Sequence, residues 1–450
     1  LGILGIFPES KKSLIFIMIS ILAIVYTFKT FFLTYVSYVK TKIFADIRIA
    51  LSSKLYDIYL NKPYSFHLNN NSSKLIRNIN ELDYTVYVLE SLIMLISEAI
   101  IFLGISTFVI LYEPMGSLVV ISFLGTFGYL FYRKIQIRAK KWGKKRQTHA
   151  GFSLKNLQEG FGAIKDIIIL QRSKELTQTF SANNKIVALS DFKQKFVDSL
   201  PRLWLEWLVV LGFILLVLLM IFQERELSYI ISLMGLFVAA AYRIMPSLTR
   251  IMNSAQGVLY SRAAVDVVYE EFNQKGIQRN NDKISSKKVF LNKEIVLKNI
   301  DFKYSDSSPF ILQRTNLNIK KGTTIGLIGE SGIGKTTLIN IILGLLRPTN
   351  GSIIVDGVNI FENIKSWQNL IGYVPQNIYL SDDTIKKNIA FALPEEKIDN
   401  YAVNKAVMDA KLDNLVNNLD NGLDTKIGEF GDRISGGQRQ RIAIARALYR

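Results

Sequence analysis

The N-terminal part of the chain contains apolar runs longer than a soluble domain normally uses. Crossing about 30 Å of hydrocarbon takes roughly 20 helical residues, and every backbone polar group must be satisfied within the segment. The stretch from Leu208 to Phe222 contains no charged residue. We predict five membrane-spanning helices, the alternative being buried helices of a large soluble domain. The predicted spans are 13–37, 86–112, 116–132, 204–222 and 228–247. The third is short and is expected to continue as a helix into the cytoplasm.

The distribution of positive charge predicts the orientation of these spans. Loops on the cytoplasmic side are enriched in Lys and Arg, and the connection at 112–115 has neither. We therefore place this connection outside. One end of the third span is expected in the cytoplasm because it carries Arg133, Lys134, Arg138, Lys140, Lys141, Lys144, Lys145 and Arg146.

The net charge of +18 is explained by this topology and by contact with anionic membrane lipids. No basic stretch is interleaved with aromatic residues, so we do not expect a nucleic-acid partner. The absence of cysteine excludes disulfides, thiolate metal sites and cysteine nucleophiles.

A complete phosphate-loop pattern, G-x-x-x-x-G-K-T, lies at 329–336. Its glycines let backbone N–H groups point at phosphate oxygens, and a following helix adds its positive N-terminal end. An apolar run at 324–328 predicts a strand before the loop, and the run at 338–343 predicts a helix after it. We expect Lys335 at the β/γ-phosphates and the Thr336 hydroxyl on Mg²⁺. The candidate ATP-binding residues here are Gly329, Glu330, Ser331, Gly332, Ile333, Gly334, Lys335, Thr336 and Thr337.

A second pattern, Ile-Ser-Gly-Gly-Gln-Arg-Gln-Arg at 434–441, resembles the signature of ATP-binding-cassette (ABC) ATPases. In that family two cassettes pair head to tail, and the signature of one closes on ATP held by the other. The resemblance implies ATP contacts for Ser435, Gly436, Gly437 and Gln438, and a second copy of the chain as partner.

Three further elements of the ABC pattern occur in order. Tyr304 is similar to the aromatic residue that stacks on adenine. Gln376 is similar to the glutamine that links Mg²⁺ and the attacking water to the membrane domain, so it is the candidate catalytic residue and a second Mg²⁺ ligand. Gly428 and Glu429 resemble an exporter-specific loop. The implied cofactors are ATP and Mg²⁺.

The resemblance predicts a type I exporter-like helical transmembrane bundle followed by an α/β P-loop cassette. We expect the transmembrane domain at 1–272, a polar linker at 273–293 and the cassette at 294–450, which begins with the strand-like run 295–297. The family pattern continues past the signature with a Mg²⁺-binding Asp, a catalytic Glu and a switch His. None follows here, and a sixth span is expected before the first, so both domains are expected to be truncated.

The polar segment at 61–83 resembles the first cytoplasmic loop of ABC exporters, whose short transverse helix rests on the cassette, and a second such loop is expected around 161–166. Charges also occur in or beside the apolar spans, where each is costly and functional by default. Arg202 and Glu206 are spaced to pair on one helix, whereas Lys29, Arg243 and Arg250 have no such partner. We expect Lys29, Arg202, Arg243 and Arg250 to line a cavity for an anionic headgroup, the alternative being snorkelling toward lipid headgroups.

The segments 201–206, 242–250 and 375–380 resemble bacterial lipid-linked oligosaccharide flippases, in which cavity cations handle a pyrophosphate. This resemblance implies ATP-driven flipping of polyprenyl-diphosphate-linked oligosaccharide, by a homodimer in the bacterial inner membrane with its cassettes in the cytoplasm. The alternatives are an exporter of lipid A, drugs or peptides, and an ABC-type regulator or channel that binds ATP without pumping.

Overall fold

The computed structural model describes residues 11–273 and 288–450, except the side chains of Lys11, Met115, Val119, Val120, Ile121 and Leu124. These residues fall into two compact units. The first is helical and comprises residues 11–62 and 66–273. The second is α/β and comprises residues 288–450, and residues 63–65 are grouped with it. The greater part of the predicted linker, 274–287, lies outside the described residues.

Five long helices form the helical unit because their apolar sequences offer the backbone no other way to satisfy its polar groups in hydrocarbon. They are α1 (Lys11–Leu60), α4 (Leu82–Tyr112), α5 (Pro114–Gly162), α7 (Ser173–Phe222) and α8 (Leu227–Asn273). Within the residues that the structure describes, four segments are long and apolar enough to cross a membrane, and they contain the predicted spans 13–37, 86–112, 204–222 and 228–247. The span at 116–132 lies in α5 and includes undescribed side chains, so it stays a prediction.

Short helices connect the long ones at both polar segments singled out in the sequence. The first segment contains α2 (Tyr64–Asn69) and α3 (Ser72–Asn80). Asn71 begins α3 by accepting a 2.9 Å hydrogen bond from the Ser73 backbone N–H. The second contains α6 (Ile164–Leu170), which ends where Gln171 adopts a φ of 53°.

Close helix packing explains two of the glycines. A Cβ added to Gly143 of α5 would lie 1.8 Å from the carbonyl oxygen of Tyr260 on α8, so only glycine permits this crossing. At Gly257 of α8 an added Cβ would lie 2.7 Å from the ring of Tyr87 on α4. The two contacts hold α8 against α5 and α4.

Two ion pairs tie these helices together. Arg146 of α5 donates to Glu81 at 2.5 Å, and their side chains are only 6% and 3% exposed. Arg146 is thus a buried partner rather than one more solvated cation of its basic segment. On α4, Glu98 accepts two hydrogen bonds from Arg250 of α8, at 2.6 and 3.1 Å, and a third from the Ser247 hydroxyl.

The second unit contains an antiparallel sheet with strand order β2-β1-β3-β4. The strands are β1 (Glu294–Phe302), β2 (Leu312–Lys320), β3 (Asn350–Val355) and β4 (Val358–Asn359). The strand predicted to begin at 295–297 is confirmed as part of β1. With α9 (Lys335–Ile342) and α10 (Ile364–Gln368), the sheet encloses a first hydrophobic core.

A second hydrophobic core lies in the remainder of this unit and is helical. It includes Leu380, Ile385, Val403, Leu412 and Ile442, each at most 1% exposed. The helices are α11 (Ile385–Ile389), α12 (Asn400–Asp409), α13 (Asp413–Asn417) and α14 (Gly436–Tyr449).

Replacing Gly143 with Ala should destabilise the helical unit, because the new methyl group meets backbone rather than a flexible side chain. Overpacking of this kind costs about 1–3 kcal/mol. Gly235→Ala is the matched control, since nothing lies within 4 Å of its added Cβ. Thermal unfolding of the purified protein in detergent should show a lower midpoint for Gly143→Ala alone. Equal midpoints for the two variants would contradict the crossing described here.

Candidate nucleotide site

The phosphate loop at 329–336 has the backbone geometry that its sequence predicts. Gly332 and Gly334 adopt φ values of 88° and 103°, in the left-handed region that favours glycine. A side chain at Gly334 is also blocked by packing, because an added Cβ would lie 2.9 Å from the Ile311 side chain.

The loop leads directly into a helix N-terminus. Helix α9 begins at Lys335, and Gly334 before it supplies no side-chain cap. The first N–H groups of a helix have no intrahelical acceptor, so they are available to phosphate oxygens. The Lys335 ammonium donates to the carbonyl oxygens of Gly329 and Glu330, at 2.6 and 2.7 Å, and so lies against the loop itself.

The strand predicted before the loop is wrong. Residues 323–330 have no regular secondary structure, and the Ile328 side chain is 99% exposed. A strand exists only where its backbone pairs with another, and no described strand pairs with residues 324–328. The predicted helix, by contrast, is confirmed as α9.

Helix α9 is anchored at its far end. Leu338 and Ile341 pack into the first core, and the Trp367 indole N–H donates to the Ile342 carbonyl at 2.7 Å. The Trp367 bond satisfies one of the carbonyls that a helix C-terminus leaves unpaired. The phosphate loop therefore leads into a helix that is fixed by the first core and at its C-terminal end.

Tyr304 lies beside the phosphate-loop helix. Its hydroxyl is 3.2 Å from the Thr337 hydroxyl, and its ring meets that of Phe302 edge to face at 5.0 Å between centroids. Because the side chain remains 48% exposed, the ring has a free surface for a base. The structure thus brings together two of the predicted ATP-binding residues from distant parts of the sequence.

The signature residues begin helix α14 through a capping box. The Ser435 hydroxyl accepts from the Gln438 backbone N–H at 3.3 Å, and the Gln438 side chain accepts from the Ser435 N–H at 2.8 Å. The S-x-x-Q spacing indicates such a cap, and the sequence analysis did not use it. Gly436 and Gly437 form the exposed first turn, where a Cβ at Gly437 would meet nothing within 4 Å.

In the sequence, Gln376 lies after the residues of the first core and before those of the second, in a segment without regular secondary structure. Beyond it, Arg446 of α14 donates to the carbonyl oxygens of Asn388 and Tyr379, at 2.8 and 3.0 Å. The Asn388 side-chain amide in turn donates to the Ser381 carbonyl at 3.0 Å. Burial lowers the pKa of the Arg446 guanidinium, which remains charged at neutral pH. Asn388 and Arg446 thus attach the chain that follows Gln376 to α14, and no sequence pattern signals these bonds.

The residues present fit ATP with Mg²⁺. The loop offers backbone donors, the Lys335 ammonium and an exposed Thr336 hydroxyl, which is a suitable Mg²⁺ ligand. Among the described residues, no hydrogen bond or ion pair joins the phosphate loop to Gln376 or to the signature. The chain therefore presents the loop with Tyr304 as one cluster and the signature as another.

The four candidate cavity cations differ in their surroundings. Lys29 of α1 lies 4.8 Å from the centre of the Tyr26 ring. Arg202 of α7 pairs with Glu206 at 3.1 Å, as its spacing indicated, yet its side chain is 75% exposed. Arg250 is held by Glu98 of another helix.

Arg243 of α8 is exposed and, like Lys29, makes no hydrogen bond or salt bridge to any described residue. The Glu98 carboxylate of α4 is nevertheless close enough to interact with its charge. An apolar cavity of about 80 Å³ between α4, α5, α7 and α8 is lined by none of the four cations.

Comparisons with known proteins agree with this architecture. The family described as ABC transporter matches residues 312–450. The ATP-dependent lipid A-core flippase of Cupriavidus pinatubonensis is 25% identical over 410 residues, covering 90% of this chain and 68% of the relative. That of Wigglesworthia glossinidia brevipalpis is 28% identical over 430 residues, covering 92% and 71%.

A solved structure matches most of the chain. It is a bacterial Atm1-family ABC exporter with ATP bound, with a TM-score of 0.76 and 19% identity over 91% of this chain and 71% of that one. The chain is an ABC exporter half-transporter. It joins a helical membrane domain to an ABC cassette, and it is an ATPase of the kind coupled to transport.

Replacing Lys335 with Ala should reduce ATP turnover of the full-length transporter to background. The variant loses a charge-assisted contact to phosphate, a bond type worth roughly 1.5–3 kcal/mol. Lys405→Ala is the matched control, because Lys405 is exposed on α12, away from the loop. ATP hydrolysis and membrane insertion are measured for both. Wild-type turnover in Lys335→Ala would exclude the role given to this lysine.

Proposed function

We propose that this half-transporter uses ATP to flip a phosphate-bearing glycolipid across the bacterial inner membrane. The observation that carries the proposal is Arg243, which lies within the predicted span 228–247 without a hydrogen-bonding or ion-pairing partner among the described residues. A cation at membrane depth is costly and tends to mark a substrate path. Lys29, exposed on α1, supplies further positive charge for the same anionic headgroup. Arg202 of α7, although paired with Glu206, is exposed and keeps further N–H donors for it.

Two substrates fit this chemistry. Lipid A-core is favoured by the flippases that resemble this chain over 90% of its length or more. Polyprenyl-diphosphate-linked oligosaccharide is favoured by the resemblance to lipid-linked oligosaccharide flippases, which implies headgroup contacts for Lys29, Arg202 and Arg243, with Lys29 standing where those flippases have Arg. Both are anionic lipids with sugar headgroups.

We further propose that two copies pair head to tail, with ATP and Mg²⁺ between them. Thr336 and Gln376 would hold Mg²⁺, and Ser435, Gly436 and Gly437 would close on the partner's nucleotide. The capping box supports this role because it fixes the Ser435 side chain while the two glycines remain exposed. In this arrangement the cassettes lie in the cytoplasm, and residues 273–293 link each one to its membrane domain.

Mixed dimers test the pairing. A Lys335→Ala subunit combined with a Ser435→Arg subunit places both defects in one composite site and leaves the other intact. ATP-dependent crosslinking of cassettes should therefore persist in this mixture and be lost when every subunit carries both changes. Loss of crosslinking in the mixed dimer as well as in the double variant, with the wild type crosslinking normally, would contradict the composite site.

Replacing Arg243 with Gln tests the substrate. Gln keeps hydrogen-bonding capacity but removes the charge, so a phosphate headgroup loses its counter-ion in a low-dielectric environment. Flipping in proteoliposomes should fall at least about tenfold, with basal ATP hydrolysis retained, and Arg202→Gln should have the same direction of effect. Arg262→Gln is the control, on the same helix but outside the predicted span.

Parallel assays with lipid A-core and with a polyprenyl-diphosphate glycan show which substrate stimulates ATP hydrolysis. Flipping of both at the wild-type rate by Arg243→Gln would contradict the proposed headgroup contact. Hydrolysis without any transport would favour the regulator or channel alternative.

A further inference from the structure

The apolar cavity between α4, α5, α7 and α8 lies at the depth of the predicted spans. The described residues that line it all belong to those spans, except Leu248, which directly follows the last one. Packed protein interiors contain few voids larger than a water molecule. Roughly 10–15 Å³ of such space holds one water, so a cavity of about 80 Å³ has room for several atoms of a ligand.

The cavity separates two hydrophobic clusters of the bundle. Val109, Leu216 and Phe237 belong to one buried cluster. Leu205 belongs to another, which shares no buried residue with the first. All four residues line the cavity. The void therefore lies where the two clusters do not meet, and a ligand inside it would complete the packing between them.

The lining has no polar group to offer a ligand. Ser106 and Ser117 are its only described polar side chains. The Ser117 hydroxyl donates to the carbonyl oxygens of Glu113 and Pro114, one turn earlier. The Ser106 hydroxyl is buried in the helix packing and has almost no accessible surface. A buried water needs about two to four polar partners, so this cavity favours hydrocarbon over water.

Gly125 gives the cavity an opening. This residue lines the cavity and is also exposed on α5, and nothing lies within 4 Å of a Cβ added to it. Leu216 and Phe237, by contrast, are only 2% and 7% exposed and form part of the closed wall. The cavity can thus be entered from the surface of α5.

The medium around the spans of a membrane protein is lipid hydrocarbon, which is as apolar as the lining itself. An empty void forfeits the dispersion contacts that its lining atoms would otherwise make. The end of an acyl chain restores these contacts and brings no polar group that would be left unsatisfied. The bilayer and the cavity are therefore chemically continuous at Gly125.

We propose that the end of a phospholipid acyl chain enters past Gly125 and fills this cavity. It packs against Leu205 of one cluster and against Leu216 and Phe237 of the other, and so fixes the spacing of α7 and α8. The site is independent of the headgroup contacts proposed above, because none of the four candidate cavity cations lines it. Its occupancy can be measured without transport.

Photolabelling of the full-length protein in nanodiscs tests the proposal. The probe is a phosphatidylcholine with a diazirine at the end of one acyl chain, and mass spectrometry identifies the labelled residues. Leu216 and Phe237 should be labelled although they are buried, because the chain end reaches them through the cavity. Leu218, exposed on α7, should be labelled from the surrounding bilayer and serves as the reference. Label on Leu218 without label on the two buried residues would overturn the proposal.

Replacing Gly125 with Leu should close the opening. The label on the two buried residues should then fall to the level seen without irradiation, while the reference label persists. Gly104→Leu is the matched control and should be labelled like the wild type. Gly104 is likewise an exposed helical glycine with nothing within 4 Å of its added Cβ, but it does not line the cavity.

Ala241→Leu is the second variant in case Gly125→Leu does not fold. It fills the cavity from α8, and Ala239→Leu, exposed on α8 outside the lining, is its control. Undiminished label on the buried residues of a folded cavity variant would overturn the proposal, because the acyl chain would then reach them by another route. Equal loss of label in the cavity variants and their controls would overturn it as well.

Discussion

The helical unit depends on one constraint, which is that a backbone N–H or C=O group in hydrocarbon has no water to bond. Each unsatisfied group costs several kcal/mol there, so a spanning segment must remain helical throughout. The chain meets this requirement with helices that continue far past the predicted spans, α1 and α7 reaching 50 residues each. Even Pro201 and Pro246 lie inside continuous helices. A proline has no N–H of its own to leave unpaired, although it also interrupts one helical bond.

Once the helices are fixed, the few polar side chains determine how they face one another. A buried ion pair adds little net stability, but removing one partner is strongly destabilising, so the pair disfavours rotations that would separate it. Glu98 takes three hydrogen bonds from Ser247 and Arg250, which orients α4 against α8. The same pairing gives Arg250 a structural role. Arg243, two turns earlier on α8, has no such bond among the described residues and becomes the stronger candidate for a substrate contact.

The sequence predicts best those features that depend on neighbouring residues. Apolar runs located the long helices, and the spacing of the phosphate loop located the start of α9 because local backbone geometry requires those glycines. The Ser435–Gln438 cap could have been predicted in the same way, since it depends only on the local S-x-x-Q spacing.

Features that depend on residues far apart in the sequence could not be predicted in this way. The partnership of Arg250 with Glu98 requires knowing which faces of α4 and α8 meet. The strand at 324–328 was wrong for a related reason. An apolar run indicates burial or pairing, but only a second strand makes it a strand, and the described residues supply none there.

The two hydrophobic cores of the cassette give a physical reason for the position of Gln376. The phosphate-loop helix rests on the first core and the signature helix on the second, and neither core shares a buried residue with the other. The segment around Gln376 connects them without regular structure. At one end a Cβ on Gly372 would lie 3.2 Å from the Ala447 carbonyl oxygen of α14, and at the other Arg446 binds the Tyr379 carbonyl. The segment is therefore attached to the signature helix on both sides of Gln376. A side chain expected to sense Mg²⁺ and report to the membrane domain is well placed on such a connection.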